Sequence, residues 1–135
     1  MKKVILILLM LVFASLISCA PKQMYNWEDY SKTLYAYKKD SNEESLLKHI
    51  KELEKIIEVS NQNNMRVPPG VYGELGYYYL RNNKIKEAVE YFNFEKQLYP
   101  ESVILMDRLI QKAAVAKTLS DEAESINHAI KESEK

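Results

Sequence analysis

The stretch "GVYGELGYYYL", residues 70–80, decides the reading of the fold: glycine recurs at 70, 73 and 76, and three tyrosines follow at 77, 78 and 79. This spacing suits either a loop that cradles phosphate or a helix face stripped of side chains. A phosphate loop follows a strand and reads G-x-G-x-x-G, or ends in a lysine before a serine or threonine. Residues 70–76 read G-x-x-G-x-x-G, with no strand pattern before them and Tyr77-Tyr78 after. A step of three lays the glycines roughly along one side of a helix, predicted here from about Gly70 to Arg81. Glycine within a helix costs about 1 kcal/mol relative to alanine. Close packing against another element, or a role at the helix start, must offset that cost.

On either side of this stretch the apolar periodicity is helical. Asn26 is placed to cap a first helix over Trp27–Lys39, with Tyr30, Leu34 and Tyr37 recurring on one face. Ser41 and Glu44 form a capping-box pattern ahead of a second helix to Glu58. Its apolar face carries Leu46, Leu47, Ile50, Leu53, Ile56 and Ile57; Lys48, Lys51, Glu52, Lys55 and Glu58 read as a solvated face. Residues 60–70, "SNQNNMRVPPG", read as a loop. Asn82-Asn83 turns the chain into a fourth helix over Lys84–Tyr99. Pro100 stops it, because the residue before proline is pushed out of the helical region. A fifth helix spans Glu101–Lys117, with Val103, Met106, Leu109, Ile110 and Ala113 on one face. Residues 118–135 have only Ala123, Ile126, Ala129 and Ile130 to bury, and read as a marginal helix or disordered tail. No strand emerges, and the expected class is all-α.

Residues 69–102 resemble the tetratricopeptide (TPR) repeat, a helical hairpin with the pattern W-x2-L-G-x2-Y, then A-x3-F, then P. Tyr72 stands at the tryptophan position, and Leu75, Gly76, Tyr79, Ala88, Phe92 and Pro100 follow in unbroken register. Gly76 and Ala88 are small so that two helices approach, while Leu75, Tyr79 and Phe92 fill the space around them. Glu95 departs from the alanine the repeat prefers and is expected to loosen the next contact. A degenerate copy, one step of 42 residues earlier, aligns Tyr30 with Tyr72, Tyr37 with Tyr79, Leu46 with Ala88 and Ile50 with Phe92. The fifth helix, with Met106 at the Tyr72 position, closes the array. The expected domain, residues 26–117, is thus about two repeats and a closing helix.

The first 20 residues are unlike the rest. Lys2 and Lys3 precede an apolar run over Val4–Leu16, and Leu16-Ile17-Ser18-Cys19 follows. A basic start, a short apolar run and a small residue before the cut describe a secretory signal, whereas a spanning helix needs roughly 20 apolar residues. "LISC" resembles the bacterial lipobox. That implies removal of residues 1–18, acylation of Cys19 by palmitate-type chains, and a tether over 19–25. Two or more chains anchor stably. Ala20 after the cysteine implies the outer membrane, facing the periplasm, over retention in the inner one. Cys19 is the only cysteine, so no disulfide forms within one chain. Cleavage leaves 17 basic against 19 acidic residues, and nucleic acid, which calls for a basic face or stripe, is not an expected partner.

Residues that carry chemistry are sparse. His49 and His128 lack neighbours at metal-ligand spacing, and His49, beside Lys48 and Lys51, reads as a surface residue. The acid pairs Glu28-Asp29, Glu43-Glu44 and Asp121-Glu122 read as helix-start carboxylates that favour the dipole. No nucleophile motif, metal site or cofactor is indicated, and an enzyme is not expected. Tyrosine stands out, with ten copies beside a single tryptophan. By the geometry of such repeats, Tyr35 and Tyr77 follow the glycine site and face a concave groove. Gln111 matches them on helix five, and Lys39, Arg81 and Val115 form a second row. Partner-binding surfaces enrich aromatics and arginine.

With the signal and lipobox, "RVPPGVYGELGYYYL", "EAVEYF" and "YPESVILMDRLI", the chain resembles a family of small TPR-like bacterial lipoproteins without assigned function. In genomes that family often sits beside a lipoprotein resembling the curli-secretion pore subunit. The resemblance implies a lipid-anchored adaptor that binds another envelope protein, in outer-membrane secretion or surface assembly. The alternative is a small-ligand or glycan-binding lipoprotein that uses the tyrosine-rich groove.

Overall fold

The computed structural model describes residues 23–133 and is helical, with no strand among them. Helix α1 spans Tyr30–Lys39, α2 Glu43–Gln62, α3 Val71–Arg81, α4 Ile85–Leu98 and α5 Val103–Ser133, with a 3-10 turn over Pro100–Ser102 before α5. The predicted signal segment and Cys19 lie outside the described residues. Asparagine sets several of the limits. The Asn42 side-chain oxygen accepts from the Ser45 amide at 2.8 Å, an N-cap for α2. Asn64 (φ 50°) and Asn83 (φ 58°) hold the left-handed conformation just past α2 and α3. The amide after each folds back, Met65 to the Ser60 carbonyl at 2.8 Å and Lys84 to the Tyr79 carbonyl at 2.9 Å, which is the Schellman closure.

Several predicted limits move. Helix α1 starts at Tyr30 instead of Trp27 because Asn26 turns its side chain to Glu28. The Asn26 oxygen takes the Glu28 amide at 3.2 Å and its nitrogen donates to Glu28 Oε1 at 2.7 Å, while Glu28 sits at φ 41°. The cap of α2 is Asn42, not Ser41, and Glu44 pairs with Lys48 at 2.7 Å instead of closing a capping box. Helix α2 continues to Gln62, through the start of the predicted loop, because Ser60 falls on its buried stripe. Helix α5 runs unbroken through residues 118–133, where composition predicts a separate marginal element; Asp121 and Glu122 lie inside it, not at a helix start.

Two apolar clusters meet at α3. Ile50, Leu53 and Ile56 of α2 pack with Val67, Val71 and Leu75. Ala88 and Phe92 of α4 pack with Met106 of α5. Tyr79 borders both clusters and stacks on Tyr91, ring centroids 5.3 Å apart. The three glycines have three separate reasons. Gly70 precedes α3 at φ 88°, a conformation that suits glycine. A Cβ on Gly73 would stand 3.3 Å from Met106 Cε, and one on Gly76 would stand 2.7 Å from Phe92 Cε1 and 3.2 Å from the Ala88 carbonyl. Gly76 therefore lets α4 lie directly against α3, and Gly73 makes room for α5.

Glu95 does not loosen this packing. It is buried, and its carboxylate accepts from the Gly70 amide at 2.7 Å and the Gly73 amide at 3.2 Å. Those amides are among the unpaired donors at the start of α3, where the dipole favours a negative charge. A residue of α4 thus caps α3.

The first helix pair lacks the small residues that bring the second together. One 42-residue step before Gly76 and Ala88 stand Leu34 and Leu46, so the two small residues that bring α3 and α4 together are both leucine in α1 and α2. Among the described residues the α3–α4 contact is the most extensive, and no Cα atom of α1 comes within 8 Å of one of α3.

Candidate functional site

Side chains alone cross the gap between α1 and α3. His49 of α2 is 1 % exposed and lies midway. Its Nδ1 is 2.9 Å from Thr33 Oγ1 on α1, and its Nε2 is 3.1 Å from Glu74 Oε1 on α3. The Tyr30 hydroxyl donates to Glu74 Oε2 at 3.0 Å. Toward an ionised Glu74 the Nε2 nitrogen is the donor, and in the neutral ring Nδ1 accepts from the Thr33 hydroxyl. The His49 ring also sits against two tyrosines, with Tyr37 stacked at 6.5 Å and Tyr30 tilted at 5.4 Å between centroids. His49 is therefore not the surface residue its lysine neighbours suggest. It occupies the α2 stripe between Leu46 and Leu53, the side that turns inward.

Burial pulls the Glu74 carboxyl upward, but hydrogen bonding and charge from His49, then the Tyr30 hydroxyl and the Lys38 charge, outweigh it and hold the group below its usual 4.5. Burial first, and then the Glu74 charge and hydrogen bond, push Tyr30 up to about 12. Thr33, His49 and Glu74 stand in the order of a nucleophile, base and acid. Thr33 Oγ1, however, also lies 3.1 Å from the Tyr30 carbonyl, and Thr33 is not among the residues that line the adjoining cleft. The row's evident effect is to tie three helices together.

Above this row the splay of α1 leaves a cleft of about 400 Å³. Tyr37 and Lys38 of α1 form one wall and Tyr77, Tyr78 and Arg81 of α3 the other; Leu46, His49 and Ile50 of α2 lie between, and Glu43 and Glu74 also face it. Neither Lys38 nor Arg81 makes an ion pair among the described residues.

Of the predicted groove, Tyr77 and Arg81 line this cleft together, whereas Tyr35, Lys39 and Gln111 do not. Tyr35 is 70 % exposed, and Gln111 is exposed on α5. The groove rule presumes α1 and α3 side by side; the splay brings Tyr37 and Lys38 to the cleft in place of Tyr35 and Lys39. Among the predicted repeat-core residues Leu75, Gly76, Ala88 and Phe92 are buried and Tyr72 and Tyr79 half-buried, while Pro100 is exposed and opens the 3-10 turn. Cys19 lies outside the described residues. Among the described residues no three His, Cys, Asp or Glu side chains converge on a possible metal site, and no helix is long and apolar enough to cross a membrane.

A second, more open groove lies between the start of α4 and α5, lined by Ile85, Val89, Ile110 and Ala114 among others.

Fold and cleft together define a small all-helical protein whose first helix stands off from the third. The chain belongs to the family described as a domain of unknown function, DUF4810, whose model matches residues 24–109. No curated protein and no solved structure matches it. Every residue of the α1–α3 cleft falls inside the matched span, whereas the second groove extends beyond it to Ser120.

Proposed function

We propose that this protein is a non-enzymatic, lipid-anchored adaptor on the periplasmic face of the bacterial outer membrane, holding another envelope protein in the cleft between α1 and α3. The observation that carries the reading is the cleft itself, lined by an exposed tyrosine, Tyr77, and by two cations, Lys38 and Arg81, that make no ion pair among the described residues. Partner-binding surfaces enrich this combination of aromatics and arginine. The anchor rests on the short apolar run and the Leu16–Cys19 lipobox pattern. The scaffold is a TPR-like array. Support comes from the Gly76–Phe92 approach of α3 and α4 and from α5 lying against α4 as a closing helix, with α1 and α2 as a looser first copy. The first partner to test is the lipoprotein resembling the curli-secretion pore subunit.

The test is co-capture of that lipoprotein by the acylated protein, with urea unfolding of the same variants alongside. Tyr77→Ala weakens capture roughly thirtyfold, as an aromatic hot spot worth about 2 kcal/mol does, and leaves the urea midpoint nearly unchanged. Tyr35→Ala alters neither. Tyr72→Ala, which removes ring contacts with Tyr91 and Phe94, lowers stability first. Equal capture by wild type and Tyr77→Ala contradicts the cleft assignment. Failure to capture any envelope protein, together with stabilisation by an envelope glycan, supports the ligand-binding alternative.

A further inference from the structure

We infer that the α1–α3 cleft takes a peptide segment in which a carboxylate stands beside a large apolar side chain; this deepens the adaptor reading and rests on it. Lys38 and Arg81 lie on opposite walls of one cleft, so an acidic group between them meets two charged donors at once. Arginine offers a planar fork that matches a carboxylate bidentately. The Lys38 charge acts on Glu74, but the acids that share the cleft form no ion pair with either cation among the described residues. Both Glu74 oxygens already accept, one from His49 and one from Tyr30. Glu43 belongs to the first turn of α2, where the helix dipole favours it. Both cations sit in the last turns of their helices, where the dipole accounts for their charge. It does not use up their hydrogen-bond donors.

Apolar recognition comes from the α2 side. Leu46 and Ile50 form an apolar floor next to the rings of Tyr37 and Tyr78. An occupant that matches this cleft places a leucine-sized group on that floor and its carboxylate outward, between the cations. A neutral glycan satisfies the rings but brings no charge to the donors of Lys38 and Arg81, and the charge complementarity favours the peptide.

The probe is a short fluorescein-labelled peptide with a leucine flanked by glutamates, in free-acid and C-terminally amidated forms, titrated by anisotropy into the full folded chain. The same peptide carrying glutamines in place of the glutamates, amidated at its C-terminus so that it has no carboxylate, is the control. We expect saturable binding of the glutamate peptide that weakens as salt rises, and binding of the glutamine peptide at least tenfold weaker. Lys38→Ala and Arg81→Ala together should weaken the glutamate peptide tenfold or more, since hydrogen bonds to charged groups are the strong ones. Lys86→Ala, away from the cleft, should match wild type. Equal binding of the amidated and free-acid forms assigns recognition to side-chain carboxylates, and loss on amidation assigns it to the chain terminus; either supports the inference. Equal binding of glutamate and glutamine peptides, insensitivity to the double alanine variant, or no binding at millimolar peptide overturns it. If the envelope partner is still captured through Tyr77 in high salt and by the double variant, the adaptor reading stands and the carboxylate inference alone fails.

Discussion

The side chain that Gly76 lacks would meet Phe92 at 2.7 Å and the Ala88 carbonyl at 3.2 Å. Overpacking a tight core costs about 1–3 kcal/mol, so Gly76→Leu should lower the urea midpoint by at least that equivalent. Gly73→Ala should come out close to neutral, because the nearest atom is the flexible end of Met106 and alanine regains about 1 kcal/mol of helix propensity. Ser60 presents the opposite case. Its hydroxyl is buried with no hydrogen-bond partner among the described residues, and an unmet buried polar group is costly. Ser60→Ala should therefore match wild type or raise its stability by up to about 1 kcal/mol. Glu74 sets a pH dependence. Its folded pKa is lowered, so its contribution is present above the ordinary value of 4.5 and is lost as pH falls through the folded one. Wild type should lose more stability than Glu74→Gln on acidification below about pH 4, measured by urea unfolding at each pH. Equal losses would remove Glu74 from the account. Gly76 was legible in the sequence because its reason lies in a local pattern of small and large residues. His49 was not, because its lysine neighbours dominate the local composition and its carboxylate partner is 25 residues away.

Helix limits depend on single side chains that the periodicity does not weigh. The turn at Asn82-Asn83 was readable, since asparagine favours turns, but the choice of Asn42 over Ser41 was not. The more consequential case is Glu95, which pattern alone marks as a flaw and which in three dimensions caps α3. Glu95→Ala leaves the Gly70 and Gly73 amides without that partner and should cost about 1–3 kcal/mol. Glu95→Gln keeps an acceptor without the charge and should fall between, with both read from urea midpoints. Equal stability of the alanine variant and wild type would contradict the cap. Helix α5 carries a different prediction. Every described side chain over residues 121–132 is exposed, so truncation after Ser120 should reduce far-UV helix signal while moving the midpoint little. A large fall in midpoint would show that the projecting turns pack against something.

At the scale of the molecule, α1 stands off from α3, and the gap is bridged by the Thr33–His49–Glu74 row and open beside it as the cleft. The all-helical class followed from periodicity. The cleft's membership did not, because Tyr37 and Lys38 face it only through the displacement of α1. The central claim is that this cleft is where a partner sits. The most direct measurement replaces Tyr77 with photoreactive p-benzoylphenylalanine in the acylated protein and irradiates intact cells, with the same replacement at Gln111, exposed on α5, as the comparison. The account predicts a discrete adduct with a second envelope protein from position 77 and none from position 111. No adduct from position 77, or the same adduct from both, would contradict it.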